Sequence, residues 1–175
     1  AEERWYDARV DATLGIPRGR SYAPTPFFDL RVRWEYTVTP RHRVRKFAVV
    51  SDRQRYDQLV AERGETSVWF KPPDPQLPVT SEDAFALLSV SVDGDELPIE
   101  HMTDASGQTF IVDLGDEVIH AEEPVVMSFT YRSRLRRDGH MVHFDVDRPV
   151  KGFSLDISHQ DAGISRVKLV DYLSS

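Results

Sequence analysis

The chain has 175 residues, of which 40% are hydrophobic and 29% charged, a composition typical of one globular domain. Its net charge of −7 argues against general nucleic-acid binding, which requires a dominant basic field. The absence of cysteine excludes disulfides, thiolate metal sites and cysteine nucleophiles, and no apolar run is long enough to span a bilayer.

The N-terminal segment has the pattern of a short amphipathic helix. Residues 2–14 place four large apolar side chains near one side of a helix, and Gly15 follows as a stop signal. Three prolines and two glycines in residues 15–26 predict a linker. We therefore expect a helix and linker over residues 1–20 and a single β-sandwich domain over residues 21–175.

The next segment combines two strands and a helix. Residues 28–38 alternate apolar and polar side chains and give the clearest strand signal, and residues 44–50 return as a second strand. A helix is predicted over residues 51–63, because Ser51 and Gln54 have the spacing of a capping box.

Further strand patterns fill the rest of the chain. They cover residues 66–70, 86–92, 96–101, 109–114, 153–157 and 166–172, with a proline-rich connector at 71–78 and an acidic loop at 115–123. Turns rather than helices join most of these strands, which favours antiparallel pairing. The predicted fold is mainly β, an antiparallel β-sandwich with two short α-helices, and a closed β-barrel is the alternative.

Residues 124–149 are predicted to form a β-hairpin. The pair Asp138-Gly139 is the strongest signal for a two-residue turn. Counting outward from this turn gives an apolar face and, on the other face, a ladder of cross-strand pairs: Arg136–Met141, Arg134–His143, Arg132–Asp145 and Thr130–Asp147.

Two residues of this hairpin suggest a metal site. His143 and Asp145 form a His-x-Asp pair that resembles the first two ligands of iron(II)/2-oxoglutarate oxygenases, which also have a double-sheet β fold. The resemblance implies a metal-dependent enzyme and requires a third ligand, for which His159 is the only downstream candidate. The predicted charge ladder explains the same two residues without a metal.

Four arginines on the first two strands are the candidate ligand-binding residues: Arg31, Arg33, Arg43 and Arg45. Residues 1–75 hold 14 Lys and Arg against 11 Asp and Glu, whereas residues 76–175 hold 8 against 18. A planar guanidinium matches phosphate and carboxylate geometry. On one sheet face, these side chains would hold an anionic small molecule such as a nucleotide. A solvated, charge-balanced exterior is the competing interpretation.

The sequence favours a non-catalytic role. We expect a binding or sensing module of a larger protein that acts through protein–protein contacts or self-association. A receptor for an anionic small molecule and a metal-dependent β-fold enzyme are the alternatives. No cofactor is predicted. The chain is expected to be a soluble domain, cytoplasmic or anchored to a membrane through a segment outside it. The excess of arginine over lysine, 18 against 4, is typical of a GC-rich bacterial genome.

Overall fold

The structure is a computed structural model that describes residues 3–17, 25–62, 66–139, 141–146, 148–159, 162–168 and 170. Within these residues the chain forms ten strands and two helices. The strands are β1 (Trp5–Gly15), β2 (Phe27–Val38), β3 (Val44–Val50), β4 (Thr66–Phe70), β5 (Phe85–Val92), β6 (Asp95–Glu96), β7 (Glu100–Asp104), β8 (Gly107–Asp113), β9 (Val125–Arg136) and β10 (Val150–Ser158). The helices are α1 (Arg53–Ala61) and α2 (Asp116–Ala121).

The strands form two sheets. The large sheet has the order β10-β1-β2-β9-β5-β6, and the small sheet has the order β4-β3-β8-β7. Neither closes into a barrel within the described residues. The predicted mainly β, sandwich-like fold is therefore confirmed, but the sheets are mixed. β1 pairs with β10 in parallel, and β3 pairs with β4 in parallel. Helix α1 provides the crossover between β3 and β4 that a parallel pair requires.

The core lies between the two sheets. Alternation on β2 buries Val32, Trp34 and Tyr36, while Arg31 and Arg33 remain exposed. Side chains of the small sheet meet this layer, and the rings of Phe47 and Phe129 are 5.0 Å apart. A separate cluster on the other face of the small sheet joins α1 to β3 through Leu59, Ala48 and Val50.

Helix α1 is close to its predicted position but has a different N-cap. The Asp52 carboxylate accepts a hydrogen bond from the backbone N–H of Arg55 at 2.6 Å, so Asp52 rather than Ser51 caps the helix. Leu59 is buried, whereas its neighbour Val60 is exposed. A second correction concerns the predicted acidic loop, which contains helix α2.

The predicted N-terminal helix is wrong, because the segment forms strand β1. β1 lies inside the large sheet between β2 and β10, and the side chains of Ala8, Val10 and Ala12 point into the core. Asp7 has a φ of 51°, and the register with β2 shifts between Tyr6 and Arg9. This bulge interrupts the period of two, so the sequence resembles a helical pattern.

The predicted hairpin at residues 124–149 is also wrong. Its turn spans residues 136–139, so Arg137 and Asp138 are the central residues, and neither Asp138 nor Gly139 has the positive φ that the predicted turn requires. Gly139 N–H donates to the Arg136 carbonyl at 3.3 Å, but residues 141–146 form no strand. β9 instead lies between β2 and β5, so both of its edges are already paired. Arg132 lies opposite Arg31 rather than Asp145, and the other ladder arginines bind carboxylates elsewhere: Arg134 to Asp29 and Asp83, and Arg136 to Asp74. Asp147 lies outside the described residues.

Two other strand predictions changed in detail. The predicted strands at 86–92 and 96–101 meet in a hairpin turn at Asp93-Gly94, with both residues at positive φ, but the turn joins β5 only to the two-residue strand β6. The following strand, β7, pairs with β8 in the small sheet. Residues 166–168 and Val170 form no strand, and the rest of the predicted strand at 166–172 lies outside the described residues.

Candidate functional site

A cavity of about 920 Å³ opens between the two sheets at the β4 edge. Its walls come from core-facing residues of β1, β2 and β9, from β4 and from α1. Residues 143–145, which follow the turn after β9, form a further part of the lining. The cavity therefore depends on segments that are far apart in sequence.

The floor of the cavity is aromatic. Trp5, Trp34, Phe129 and Tyr131 line it and are each at most 4% exposed, and Trp69 of β4 faces them. The ring centroids of Trp69 and Tyr131 are 4.9 Å apart, and those of Trp5 and Trp34 are 6.0 Å apart. All three tryptophans of the chain line this one cavity. Trp69, which is only partly buried, is the ring of this group that is most open to a ligand.

Tyr131 provides a neutral hydroxyl in the floor. Burial raises the pKa of its phenol to about 12, with a smaller contribution from the Asp145 carboxylate. Hydrogen bonds from the side chains of Trp69 and Trp34 oppose this rise. The phenol therefore keeps its proton at neutral pH and can act as a hydrogen-bond donor.

A buried ion pair supports the cavity wall. The Arg148 guanidinium and the Glu3 carboxylate are 3.1 Å apart, with side chains 7% and 12% exposed. The backbone N–H of Arg41 donates to the same carboxylate at 2.9 Å. Arg148 also lies over the Trp5 ring, 5.8 Å from its centroid. These contacts tie residues just before β1 to residues just before β10.

The four predicted anion-binding arginines are not brought together. Arg31 and Arg33 lie on the outer face of the large sheet, where Arg33 pairs with Glu35 at 2.8 Å. Arg43 lies just before β3 of the small sheet, and Arg45 lies within β3. The Arg45 side chain is buried, and its guanidinium donates to Ser67 Oγ at 2.7 Å. None of the four lines the large cavity.

Arg43 is held by two carboxylates. Its guanidinium is 2.8 Å from Asp113 and 2.9 Å from Asp116, which links the end of β8 to the start of α2. The hydrogen bonds from Arg43 lower the pKa of Asp113 to about 2. This arginine is therefore engaged by carboxylates of the chain itself.

The two candidate metal ligands, His143 and Asp145, both line the cavity. In the described part of the chain, no three His, Asp or Glu side chains are grouped so that they could hold a metal ion. The ring Nδ1 of His159, the predicted third ligand, instead forms a hydrogen bond with the Ile164 carbonyl at 3.0 Å. A metal role for His143 and Asp145 stays a prediction.

The sequence interpretation did not identify the aromatic floor. Alternation on β2 and β9 does indicate that Trp34, Phe129 and Tyr131 point inward. No local pattern indicates that Trp69 or the N-terminal Trp5 would meet them, because those contacts depend on which strands are neighbours.

Away from the cavity, Lys71 is a desolvated amine. Its Nζ donates to Ser133 Oγ at 2.9 Å and to the Arg134 carbonyl at 2.7 Å. Burial lowers the pKa of Lys71 from its usual 10.5 to about 8, which the Asp74 carboxylate opposes only weakly. The protonated amine therefore costs folding free energy at neutral pH.

This shift predicts a pH dependence of stability. Between pH 8 and 10.5 the folded chain has released a proton that the unfolded chain still holds, so the free energy of unfolding rises with pH. The full shift corresponds to at most about 3 kcal/mol, and to less because Lys71 is partly exposed. Urea unfolding across this pH range should show that the free energy of unfolding rises more steeply with pH in the wild type than in Lys71→Met. Lys151→Met, at an exposed lysine, is the control. A constant difference between wild type and Lys71→Met would contradict the prediction.

No helix in the described ranges is long and apolar enough to cross a membrane.

Comparison of the chain with protein-family models, with curated proteins and with solved structures gives no match.

Proposed function

We propose that this chain is a non-catalytic binding module whose ligand occupies the cavity between the sheets. The observation that carries the proposal is the aromatic cavity itself. Its volume of about 920 Å³ lies at the upper end of the range of small-molecule sites, about 300–1,000 Å³. Buried rings line its floor and charged side chains surround its mouth, a combination that suits a ligand with an apolar body and a polar end.

The polar groups of the cavity are suited to orienting a ligand through hydrogen bonds rather than to catalysing a reaction of the ligand. The phenol of Tyr131 stays neutral below a pKa of about 12 and supplies one hydrogen-bond donor. Glu3 and Arg148 are occupied with each other. Asp145 and His143 lie at the exposed mouth, where they can contact the polar end of a ligand.

Tryptophan fluorescence tests this proposal directly, because every tryptophan of the chain lines the cavity. The probe is 8-anilinonaphthalene-1-sulfonate, an aromatic dye that becomes fluorescent in apolar sites. We expect saturable binding with energy transfer from tryptophan to the dye. Val60→Phe, at an exposed position on the cavity lining, should weaken binding several-fold.

Val126→Phe is the matched control, because Val126 is a similarly exposed valine that does not line the cavity. Equal dye affinity in wild type and both variants would show that the dye binds elsewhere. No saturable binding of the dye to wild type would also count against a ligand cavity.

A protein-contact role is the second candidate, and the C-terminal part of the chain favours it. Half of the exposed large apolar side chains of the described residues fall there: Met141, Val142, Val146, Phe153, Val167 and Val170. β10, which carries Phe153, is an edge strand of the large sheet, and edge strands can pair with another chain. A chain that sediments as a strict monomer and retains no partner would argue against this role.

A further inference from the structure

Two arginines face each other on the outer surface of the large sheet, the side opposite the cavity. Arg31 of β2 and Arg132 of β9 are directly opposed in the antiparallel register. Their neighbours Val32 and Tyr131 point into the core, so the two guanidinium groups lie on the outer face. Side chains opposed in this way start about 5 Å apart, and like charges at such positions repel each other.

The acidic side chains around this pair are bound to other arginines. The ion pairs of this face are Arg9–Asp11 at 3.1 Å, Arg33–Glu35 at 2.8 Å and Arg134–Asp29 at 3.0 Å. Arg132 Nη2 donates one long hydrogen bond, to the backbone carbonyl of Glu82 at 3.4 Å. The two arginines therefore lack a countercharge among the described residues.

Arg132 also carries an unsatisfied donor. Its Nε is buried and has no hydrogen-bond partner among the described residues. Buried donors without an acceptor are rare in folded proteins and call for an explanation. An anion between Arg31 and Arg132 would give this N–H an acceptor after a rotation of the guanidinium, and it would offset the repulsion between the two charges.

The positions on either side of the pair carry short side chains. Thr13 of β1 lies beyond Arg31, and Ala86 of β5 lies beyond Arg132, so short side chains flank the pair on both sides. The Thr13 hydroxyl could donate a further hydrogen bond. We propose that Arg31 and Arg132 form a binding site for an oxyanion, with a phosphate group as the ligand chemistry, on the face opposite the cavity.

Thermal unfolding in phosphate and in chloride at matched ionic strength tests the site with inorganic phosphate as the probe. We expect phosphate to raise the melting temperature of wild type, and Arg31→Ser to lose most of this rise. In chloride, Arg31→Ser should be at least as stable as wild type, because it removes a like-charge contact. Arg33→Ser is the matched control, since Arg33 is the next outward residue of β2 and is paired with Glu35.

A second arm separates a soluble phosphate from a lipid headgroup. Cosedimentation with phosphatidylglycerol vesicles, compared with phosphatidylcholine vesicles, should depend on Arg31 if the phosphate belongs to a lipid. Arg31-dependent binding in either arm supports the oxyanion site and identifies the source. Equal responses of wild type and Arg31→Ser in both arms, or an equal loss in Arg33→Ser, would overturn the proposal.

Discussion

Replacement of Gly107 by alanine is expected to lower the free energy of unfolding by about 3 kcal/mol or more. Gly107 begins β8 and lies opposite Val50 of β3. A Cβ at this position would be 1.9 Å from the Val49 carbonyl oxygen and 3.0 Å from the Val50 Cα. These are backbone atoms of a strand held between β4 and β8, so they cannot move aside without breaking the small sheet.

Gly15→Ala is the matched control for this prediction. Gly15 also lies in a strand, but an added Cβ there meets no atom within 4 Å. We expect a change within about 1 kcal/mol, of either sign. Urea unfolding of both variants, followed by circular dichroism, measures the two effects. If Gly107→Ala were as stable as Gly15→Ala, the pairing of β3 with β8 would have to be reconsidered.

Local patterns predicted much of the fold. β2, β3 and β4 were predicted within about one residue, because their alternation is regular and their ends carry turn residues. β1 was mistaken for a helix because the bulge at Asp7 shifts its alternation. A single backbone irregularity was therefore enough to hide an eleven-residue strand.

Long-range pairing could not be predicted in the same way. The chain does bend near the predicted position, but over residues 136–139 and without a hairpin, and the partners of β9 are β2, about 100 residues earlier, and β5. A strong local turn signal says only where the chain bends, whereas the choice of partner depends on the whole sheet. The predicted charge ladder is wrong for this reason: Arg134 and Arg136 pair with other carboxylates, and Arg132 lies opposite Arg31.

Strand pairing also decides which arginines lie close together. The grouping of Arg31 with Arg43 assumed that β2 and β3 are neighbours, but these strands lie in different sheets. The proposed oxyanion site contains Arg31 from the predicted group of four arginines, but its second arginine is Arg132. The sequence pattern had predicted that Arg132 pairs with Asp145. The aromatic cavity, in turn, exists only because β4 faces β9 across the core.

The other large effect is expected at the buried ion pair of the cavity wall. Arg148→Met retains an apolar side chain of similar length but leaves the Glu3 carboxylate without its partner in a buried site. Breaking one side of a buried pair typically costs about 3–5 kcal/mol, and we expect about 3 kcal/mol here because Arg41 still donates to Glu3. Urea unfolding measures the loss. Tryptophan emission should also shift, since Arg148 lies over Trp5.

A double-mutant cycle separates the ion pair from packing. Glu3→Gln combined with Arg148→Met should cost clearly less than the sum of the two single changes, because the double variant leaves no unpaired buried charge. Arg9→Met is the control, since Arg9 pairs with Asp11 on an exposed surface and its loss should hardly change stability. Additive single changes, or an Arg148→Met effect no larger than that of Arg9→Met, would mean that the ion pair between the residues before β1 and those before its neighbour β10 does not itself stabilise the fold. In that case the cavity wall would depend on the aromatic core and not on the charges around it.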